Sequence, residues 1–390
     1  MARRTKPVRV GVIGAGRGAM FAQSYHVSPD SETVALCDRD APRLRVAAKQ
    51  LKIPGLKLYT DLDKFLKHAM DAVIVTSDGP LHAEHTCLAL EAGFHVQSEV
   101  PMDYTQEGCT RIIETVERTG LKYMFAENYQ YIPHMATLKR WIKRGKFGQV
   151  VYAEAEYVHD VRNMDYRDDE GNYYTWEEAR KHPKAKRAWR SGVHPISYIT
   201  HSLGPLLHIL DDRVTQVSCL STGCHTAPHD GNPDAEVAIF KCRSGAVIKI
   251  LCAHSIASPG HNWCTLLGTK GSVVMPRGTA TLPAVYFEGE SKPHTWEPIP
   301  WDKINAKLPP EAKKWGHGGS DYFLAGGFLR AILEDRPIPI DHYRGADYTI
   351  PGIVACRSAE NGGLLMPVPD LRPDVRNNFR VRKANVQVGL

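Results

Sequence analysis

The chain has 390 residues, of which 43% are hydrophobic and 24% charged, with a net charge of +6. This length predicts two domains and a large core, and the ordinary charged fraction excludes a disordered chain. Positive charges are spread along the chain, and no apolar stretch is long enough to span a bilayer. We therefore expect neither a nucleic-acid partner nor a membrane partner.

The cysteines predict the compartment. There are nine of them, with no Cys-x-x-Cys pair, and Cys37, Cys87 and Cys252 lie within apolar runs. This usage is typical of reduced thiols, and arginines near the N-terminus are not followed by a hydrophobic segment. We expect a cytoplasmic protein.

A glycine-rich turn follows the first apolar run, residues 8–13, and leads into a helical pattern near residues 21–25. In a dinucleotide-binding unit the first glycine permits a tight turn and the second lets the backbone approach a pyrophosphate. The third small residue lets the helix pack closely on the strand. The expected cofactor-binding residues here are Gly14, Gly16, Arg17, Gly18 and Ala19.

A second apolar run, residues 33–37, ends at Asp38, the position expected for the carboxylate that binds a ribose hydroxyl. A carboxylate there repels a 2′-phosphate, which favours NAD over NADP. The neighbouring Arg39 leaves NADP open as the alternative.

Strand and helix patterns alternate as far as residue 126, which predicts an α/β unit with a parallel sheet. Ligands of such sheets lie beyond the carboxyl ends of the strands. These ends carry Thr76 and Ser77, then Glu99, then Glu127 and Asn128. We expect Glu99 and Asn128 at the nicotinamide riboside and Glu127 at sugar hydroxyls, or all three as structural caps.

After about residue 139 the pattern changes to strands without intervening helices, which predicts an open, mainly antiparallel sheet in an α+β domain. We expect a Rossmann domain over residues 1–126 and a substrate-binding, catalytic domain over 127–390. A polar insertion, about 162–192, contains a short helix capped by Thr175 and Glu178. It is typical of a lid or substrate loop.

Several segments resemble the glucose-fructose oxidoreductase and inositol dehydrogenase superfamily, Gfo/Idh/MocA. They are residues 71–76, His82, 92–96, 99–101 and 145–148. The resemblance implies cofactor contacts from His82 and Val100. Most dehydrogenases of that superfamily carry Glu-Lys-Pro where this chain has Glu99-Val100-Pro101, and valine cannot exchange a proton.

A narrower set of blocks, in the same order along the chain, is similar to the NAD-dependent glycoside hydrolases typified by family 109, the α-N-acetylgalactosaminidases. Those enzymes oxidise the sugar at C3, remove the C2 proton, eliminate the aglycone, add water and return the hydride. The resemblance implies that Glu127, Tyr157, Tyr198 and His201 surround the sugar. The blocks are residues 98–101, 126–128, 156–160, 189–190, 198–205 and 317–321.

The residue pattern gives these side chains reasonable positions. Tyr157 and His159 share one face of a predicted strand with two alanines. A helix beginning at Pro195 and stopping near residues 204–205 would place His194, Tyr198 and His201 on one face. That face is a catalytic wall, a buried polar network or a metal site, and without a supporting carboxylate we expect no metal. We predict Tyr157 as base and His201 as acid/base, with the division between them open.

The substrate is harder to predict. Arginines near the insertion, Arg162, Arg187 and Arg190, suit an anionic sugar or are simply solvated. Trp176 and Trp189 offer faces on which a sugar ring stacks. The expected substrate-binding residues are His159, Arg162, Trp189, Arg190, His194 and His317.

Three functions follow, in order of preference. The first is a redox-cycling glycosidase that holds NAD and acts on a small-molecule glycoside. The second is an NAD-dependent sugar or cyclitol dehydrogenase, and the third is a non-catalytic NAD-binding protein. The family resemblance also implies a homo-oligomer, a dimer or tetramer, formed across the second sheet.

Overall fold

The first third of the chain alternates strands and helices, as its sequence predicts. The computed structural model describes residues 6–227, 232–278, 282–304 and 307–373. The elements of this part are β1 Val8–Ile13, α1 Gly18–Val27, β2 Ser31–Cys37, α2 Ala41–Leu51, β3 Lys57–Tyr59, α3 Leu62–Leu66, β4 Ala72–Val75, α4 His82–Glu91, β5 His95–Ser98, α5 Gln106–Thr119 and β6 Tyr123–Phe125.

These six strands form one parallel sheet in the order β3-β2-β1-β4-β5-β6. Every residue of β4 is buried, as expected for a central strand covered by helices on both faces. Side-chain oxygens of Asp40, Asp61 and Thr105 cap the N-termini of α2, α3 and α5. Local capping and buried apolar runs thus agree on the same parallel sheet.

The rest of the chain forms a second, larger sheet. Its order is β17-β16-β15-β14-β7-β13-β12-β11-β18, and its pairs are antiparallel except β13 with β7. The elements are α6 Pro133–Lys143, β7 Val150–Val158, β8 Tyr166–Arg167, β9 Tyr173–Tyr174, α7 Trp176–Ala179, β10 Lys186–Arg187, α8 Thr200–Leu210, β11 Val214–Ser221, β12 Ala235–Cys242, β13 Val247–Ala253, β14 His261–Gly268, β15 Gly271–Val274, β16 Ala284–Phe287, β17 Glu297–Pro298, α9 Trp301–Ile304, α10 Ser320–Leu333, α11 His342–Glu360 and β18 Met366–Pro367.

The insertion has its own small sheet, in the order β10-β8-β9. The predicted capping box of Thr175 and Glu178 is present at the start of α7. From β8, Arg167 forms an ion pair with Asp40, the residue that caps α2. The insertion therefore reaches across to the parallel sheet.

The helix expected to stop near residues 204–205 continues to Leu210, so that prediction is wrong. A 3₁₀ turn, Pro195–Tyr198, precedes α8, and Pro205 lies inside the helix. Proline inside a helix costs about 3 kcal/mol. Burying Leu206 and Leu207 completely contributes about 1.5–3 kcal/mol each, which outweighs that cost.

Helix α11 packs against both sheets, contacting β6 and α5 on one side and β11 on the other. The Phe125 amide donates to the Ile340 carbonyl, and the Met102 amide donates to the Thr349 hydroxyl. We propose two domains, residues 1–126 and 127–390. Helix α11 of the second domain packs back against the first sheet. No helix in the described ranges combines the length and apolar character needed to cross a bilayer.

Candidate active site

A cleft of about 850 Å³ lies between the carboxyl ends of β1, β4 and β5 and the face of β7. This is the edge at which α/β sheets bind their ligands. The structure brings most of the predicted site residues to its lining: Gly16, Arg17, Arg39, Thr76, Ser77, His82, Glu99, Val100, Asn128, Tyr157, His159, Trp189, Arg190, Tyr198, His201 and His317.

The glycine turn has the geometry of an anion-binding turn. Gly14 has φ +95°, and a Cβ on it would lie 2.3 Å from the Thr76 carbonyl oxygen. A Cβ on Gly16 would meet nothing within 4 Å, so its backbone is open to the cleft. Within the described residues, no backbone acceptor pairs with the amides of Gly16, Arg17 and Gly18. Free amides before a helix suit the pyrophosphate of a dinucleotide.

The close helix-to-strand contact belongs to Gly18. A Cβ on Gly18 would lie 2.4 Å from the Thr76 hydroxyl and 2.7 Å from Val12. Ala19 lies outside the cleft lining, and its contact with the cofactor stays a prediction. Gly18 carries the third small position instead.

The predicted ribose carboxylate supports the glycine turn from behind. Asp38 is buried, and its oxygens accept from the amides of Ala15 at 2.8 Å and Asp40 at 2.9 Å. Arg39 is 75% exposed and pairs with Asp78 at 3.0 Å. The contact of Asp38 with a ribose stays a prediction.

Two predicted cofactor residues brace the loops at the sheet edge. The Thr76 hydroxyl donates to the Ile13 carbonyl at 2.7 Å, which joins β4 to β1. The ring of His82 is buried between the carbonyls of Pro101, at 2.8 Å, and Ser77, at 3.0 Å. His82 therefore fixes the spacing of the loops after β4 and β5.

A charged network joins the two halves of the chain beside the glycine turn. Arg17 Nε donates to Glu99 at 2.8 Å, and its Nη2 lies 3.1 Å from Asp321. Asn128 donates to Asp321 at 2.8 Å, and His317 Nδ1 lies 3.0 Å from the same carboxylate. Burial raises the pKa of Asp321, but His317, Arg17 and Asn128 outweigh this and lower it to about 2.

Val100 follows the end of β5, at the carboxyl edge of the first sheet. Its side chain is buried and its amide donates to Glu99 at 2.9 Å. The position therefore contributes no group that could exchange a proton with a substrate.

A histidine–carboxylate pair forms one wall of the cleft. His201 Nδ1 lies 3.0 and 3.1 Å from the two carboxylate oxygens of Glu127, and the ring of Tyr129 packs 4.4 Å from that of His201. Glu127 is fully buried and lies outside the lining, and its contact with sugar hydroxyls stays a prediction. In this structure its carboxylate contacts Nδ1 of His201, which leaves Nε2 of that ring for a ligand.

Tyr157 and Tyr198 lie beside His201, with ring centroids 5.5 Å from it in both cases. Burial raises the pKa of Tyr157 well above its ordinary value, and Arg190 opposes this. Burial also raises the pKa of Tyr198 to about 12, again against Arg190. The Tyr157 hydroxyl lies 3.0 Å from His159 Nδ1; burial and then Arg190 lower the pKa of His159. Burial therefore favours the neutral forms of Tyr157, Tyr198 and His159, which lie close to the cation Arg190.

That cation, Arg190, lies with its guanidinium 4.5 Å from the ring centroid of Trp189 and 5.6 Å from that of Tyr198. Burial lowers the pKa of Arg190, but the nearby hydroxyls of Tyr198, Tyr104 and Tyr157 outweigh this and raise it. Arg190 is therefore placed to stabilise negative charge on a tyrosine or a ligand.

Two predicted substrate residues lie elsewhere. Arg162 forms a paired contact with Asp160, and His194 Nδ1 binds Glu236 at 2.9 Å; neither lines the cleft. Each side chain is thus held by a nearby carboxylate, Asp160 for Arg162 and Glu236 for His194. Their contacts with a substrate stay predictions, and His194 does not line the cleft with Tyr198 and His201.

Three residues at the site had no predicted role: Asp321, Tyr129 and Tyr104. Asp321 comes four residues after His317, a spacing that places two side chains together at a helix start. Tyr129 directly follows Glu127 and Asn128, which were both predicted as site residues. Tyr104 carries no motif, although its buried hydroxyl has no hydrogen-bond partner in the described chain.

The fold and cleft define the class: an enzyme with a nucleotide-binding oxidoreductase domain. Residues 8–127 match the oxidoreductase family with an NAD-binding Rossmann fold, and NAD is its cofactor. Residues 131–375 match the C-terminal domain of glycosyl hydrolase 109. The chain belongs to the glycosyl hydrolase 109 family.

Curated relatives agree with that family. An α-N-acetylgalactosaminidase from Tannerella forsythia is 27% identical, over 93% of this chain and 86% of the relative. A glycosyl hydrolase family 109 protein from Parabacteroides distasonis is also 27% identical, over the same shares.

Solved structures share the fold. A levoglucosan dehydrogenase in complex with NADH and L-sorbose has a TM-score of 0.76 at 18% identity, over 93% of this chain and 99% of that one. Apo scyllo-inositol dehydrogenase from Lactobacillus casei has a TM-score of 0.70 at 17% identity, over 93% and 98%.

Proposed function

We propose that this enzyme cleaves a glycoside by oxidation at C3, elimination of the aglycone, addition of water and re-reduction. The observation that carries the proposal is the wall of Tyr157 and His201, which faces the glycine turn across the cleft while position 100 is valine. Bound NAD supplies the reversible acceptance of hydride at the sugar. The remaining steps are proton transfers, and the cleft holds groups for them.

His201 exchanges the proton of the C3 hydroxyl. Glu127 fixes Nδ1, so Nε2 is the nitrogen that takes up this proton and later returns it. An imidazole can both accept and donate a proton near neutral pH.

Tyr157 takes the C2 proton of the C3-keto sugar. It does so as a phenolate; the C2–H electrons form the C1–C2 double bond as the C1–O bond breaks. Arg190 reduces the cost of that phenolate, because its positive charge opposes the effect of burial on the pKa of Tyr157. Water then adds at C1, and Tyr157 returns the proton to C2.

The alternative is a sugar or cyclitol dehydrogenase, which the fold favours because the solved neighbours above carry dehydrogenase names. It requires net formation of NADH and a group that replaces the missing lysine.

The experiment follows aglycone release and nicotinamide absorbance together on chromogenic α- and β-glycosides. The first substrate is an α-N-acetylgalactosaminide, because a relative bears that activity in its name, and anionic glycosides follow it. We expect many turnovers without accumulated NADH, and losses of at least about 100-fold in Tyr157→Phe and His201→Ala. His225→Ala is the matched control, since His225 is 73% exposed and outside the cleft lining. NADH that accumulates with sugar consumed, without aglycone, would establish the dehydrogenase instead.

We also propose that the open face of the second sheet binds another copy of the chain. Leu220 and Ile239, on adjacent strands of that face, are 63% and 51% exposed. An exposed apolar face on a long sheet marks an interaction surface. Light scattering on Leu220→Lys/Ile239→Lys should give a smaller species than wild type.

We further propose that the enzyme works in a reducing compartment, the cytoplasm. All nine cysteines are free, and seven of them are buried.

A further inference from the structure

We propose that His317, held by Asp321, is a second proton donor and acceptor of this active site and that it serves the aglycone oxygen. This assignment rests on the proposed glycosidase function, which requires an acid for the leaving group in addition to the groups at C2 and C3.

Two histidine–carboxylate pairs flank one tyrosine in the cleft. The ring of Tyr129 lies 4.4 Å from His201 and 6.5 Å from His317, measured between ring centroids. Each histidine presents Nδ1 to a buried carboxylate, at 3.0 Å from Glu127 for His201 and 3.0 Å from Asp321 for His317. A carboxylate on Nδ1 fixes the tautomer and leaves Nε2 to exchange protons.

The pair at His317 is the more open one. Its side chain is 40% exposed and lines the cleft, and in the described ranges its Nε2 has no hydrogen-bond partner. His201 is more buried, beside Tyr157. The greater exposure of His317 leaves more room beside its ring for an aglycone of variable size.

The backbone at His317 supports a functional role. His317 has φ +51°, and the two glycines after it have φ +63° and +90°. Glycine adopts this left-handed conformation without strain, whereas histidine does so at a cost. Non-glycine residues held in this region concentrate at functional sites.

The charged network does not require His317 for its own integrity. Asp321 already accepts from Arg17 at 3.1 Å and from Asn128 at 2.8 Å, and Arg17 also binds Glu99. A histidine added to a satisfied carboxylate, with its other nitrogen at the cleft, fits proton transfer better than structural support.

In the proposed step, His317 acts first as an acid and then as a base within one turnover. As Tyr157 takes the C2 proton, the C1–O electrons leave with the aglycone oxygen, which takes the Nε2 proton of His317 imidazolium. Neutral His317 then removes a proton from water as the water oxygen bonds to C1, and Tyr157 returns its proton to C2. His317 ends protonated, ready for the next turnover.

The test compares His317→Ala and His317→Gln with wild type on aryl glycosides whose leaving groups range from dinitrophenol to phenol. Glutamine keeps a hydrogen bond to Asp321 but exchanges no proton at neutral pH, so it separates chemistry from folding. His225→Ala is the control, because His225 also pairs with an aspartate, Asp234, at 2.9 Å outside the cleft lining. Bound NAD and deuterium uptake from solvent at sugar C2 are measured for every variant.

We expect both variants to keep NAD and C2 exchange. In the first turnover, before water adds, they should lose about 100-fold in the rate of aglycone release with phenol but less than about threefold with dinitrophenol, which leaves without an acid. Equal losses with all leaving groups, or loss of NAD in both variants, would overturn the assignment to His317 alone. Absence of C2 exchange in the wild-type enzyme would overturn the proposed function and this assignment with it.

Discussion

Asp321 makes a contribution to stability that can be worked out from its surroundings. Burial raises the pKa of this carboxyl, but His317, Arg17 and Asn128 outweigh it and lower the pKa from an ordinary 3.8 to about 2. That change corresponds to about 2 kcal/mol of stabilisation at neutral pH. We expect Asp321→Asn to lose about this amount at pH 7, since Arg17 keeps its contact with Glu99.

The sign of the pH dependence follows from the direction of the shift. The folded pKa lies below the unfolded one, so the stabilisation is fully present above pH 3.8 and is lost as pH falls through about 2. The difference between wild type and Asp321→Asn should therefore be constant from pH 7 to 5 and fall to about half near pH 3.

Urea unfolding followed by tryptophan fluorescence measures this difference at each pH. Both proteins must carry the same amount of NAD, because a bound ligand adds its own stabilisation. A variant as stable as wild type at pH 7, or a difference that does not change down to pH 3, would refute the reasoning.

Other predictions concern the cofactor turn and the cleft wall. Gly16→Ala should leave the free energy of unfolding of the NAD-free protein within about 0.5 kcal/mol but weaken NAD binding in calorimetry, whereas Gly14→Ala should lose about 2 kcal/mol or more through its clash. Equal effects of the two substitutions would contradict this. Arg190→Gln should raise the pKa of His254, which burial and then Arg190 lower to about 3; an unchanged histidine titration by NMR would show that Arg190 exerts no such field. Glu127→Gln should lower kcat about 10- to 100-fold with NAD content retained, because His201 loses its charged partner; unchanged kcat would remove Glu127 from the mechanism.

Most of the first sheet and the position of the cleft could be predicted from the sequence. The apolar runs 8–13 and 33–37 and the capping box of Thr175 and Glu178 are local signals, and β1, β2 and α7 lie where these signals predicted them. The ends of parallel strands meet at one edge, so residues as distant as Arg17 and Glu99 were expected together and are 2.8 Å apart.

The carboxylate partners of the histidines could not be predicted in this way. His201 and Glu127 are 74 residues apart, and His194 and Glu236 are 42 apart, on elements whose packing no local pattern specifies. The same long-range pairing places His194 against Glu236 and Glu127 against His201. Helix α8 continued past Pro205 for a related reason, since tertiary burial of its leucines overrides the local preference.

The ion pair between Arg167 and Asp40 places the insertion beside the expected cofactor site, and this has a consequence for how the enzyme depends on free NAD. The insertion lies over the cleft at its nucleotide end, where Arg167, Asp168 and Tyr173 contribute to the lining. A cofactor bound at the glycine turn would lie close to these residues, and the proposed cycle restores its oxidised form without any exchange. Once loaded, such an enzyme would work at the same rate in an oxidised or a reduced cell, as insensitive to the free NAD pool as an ordinary hydrolase.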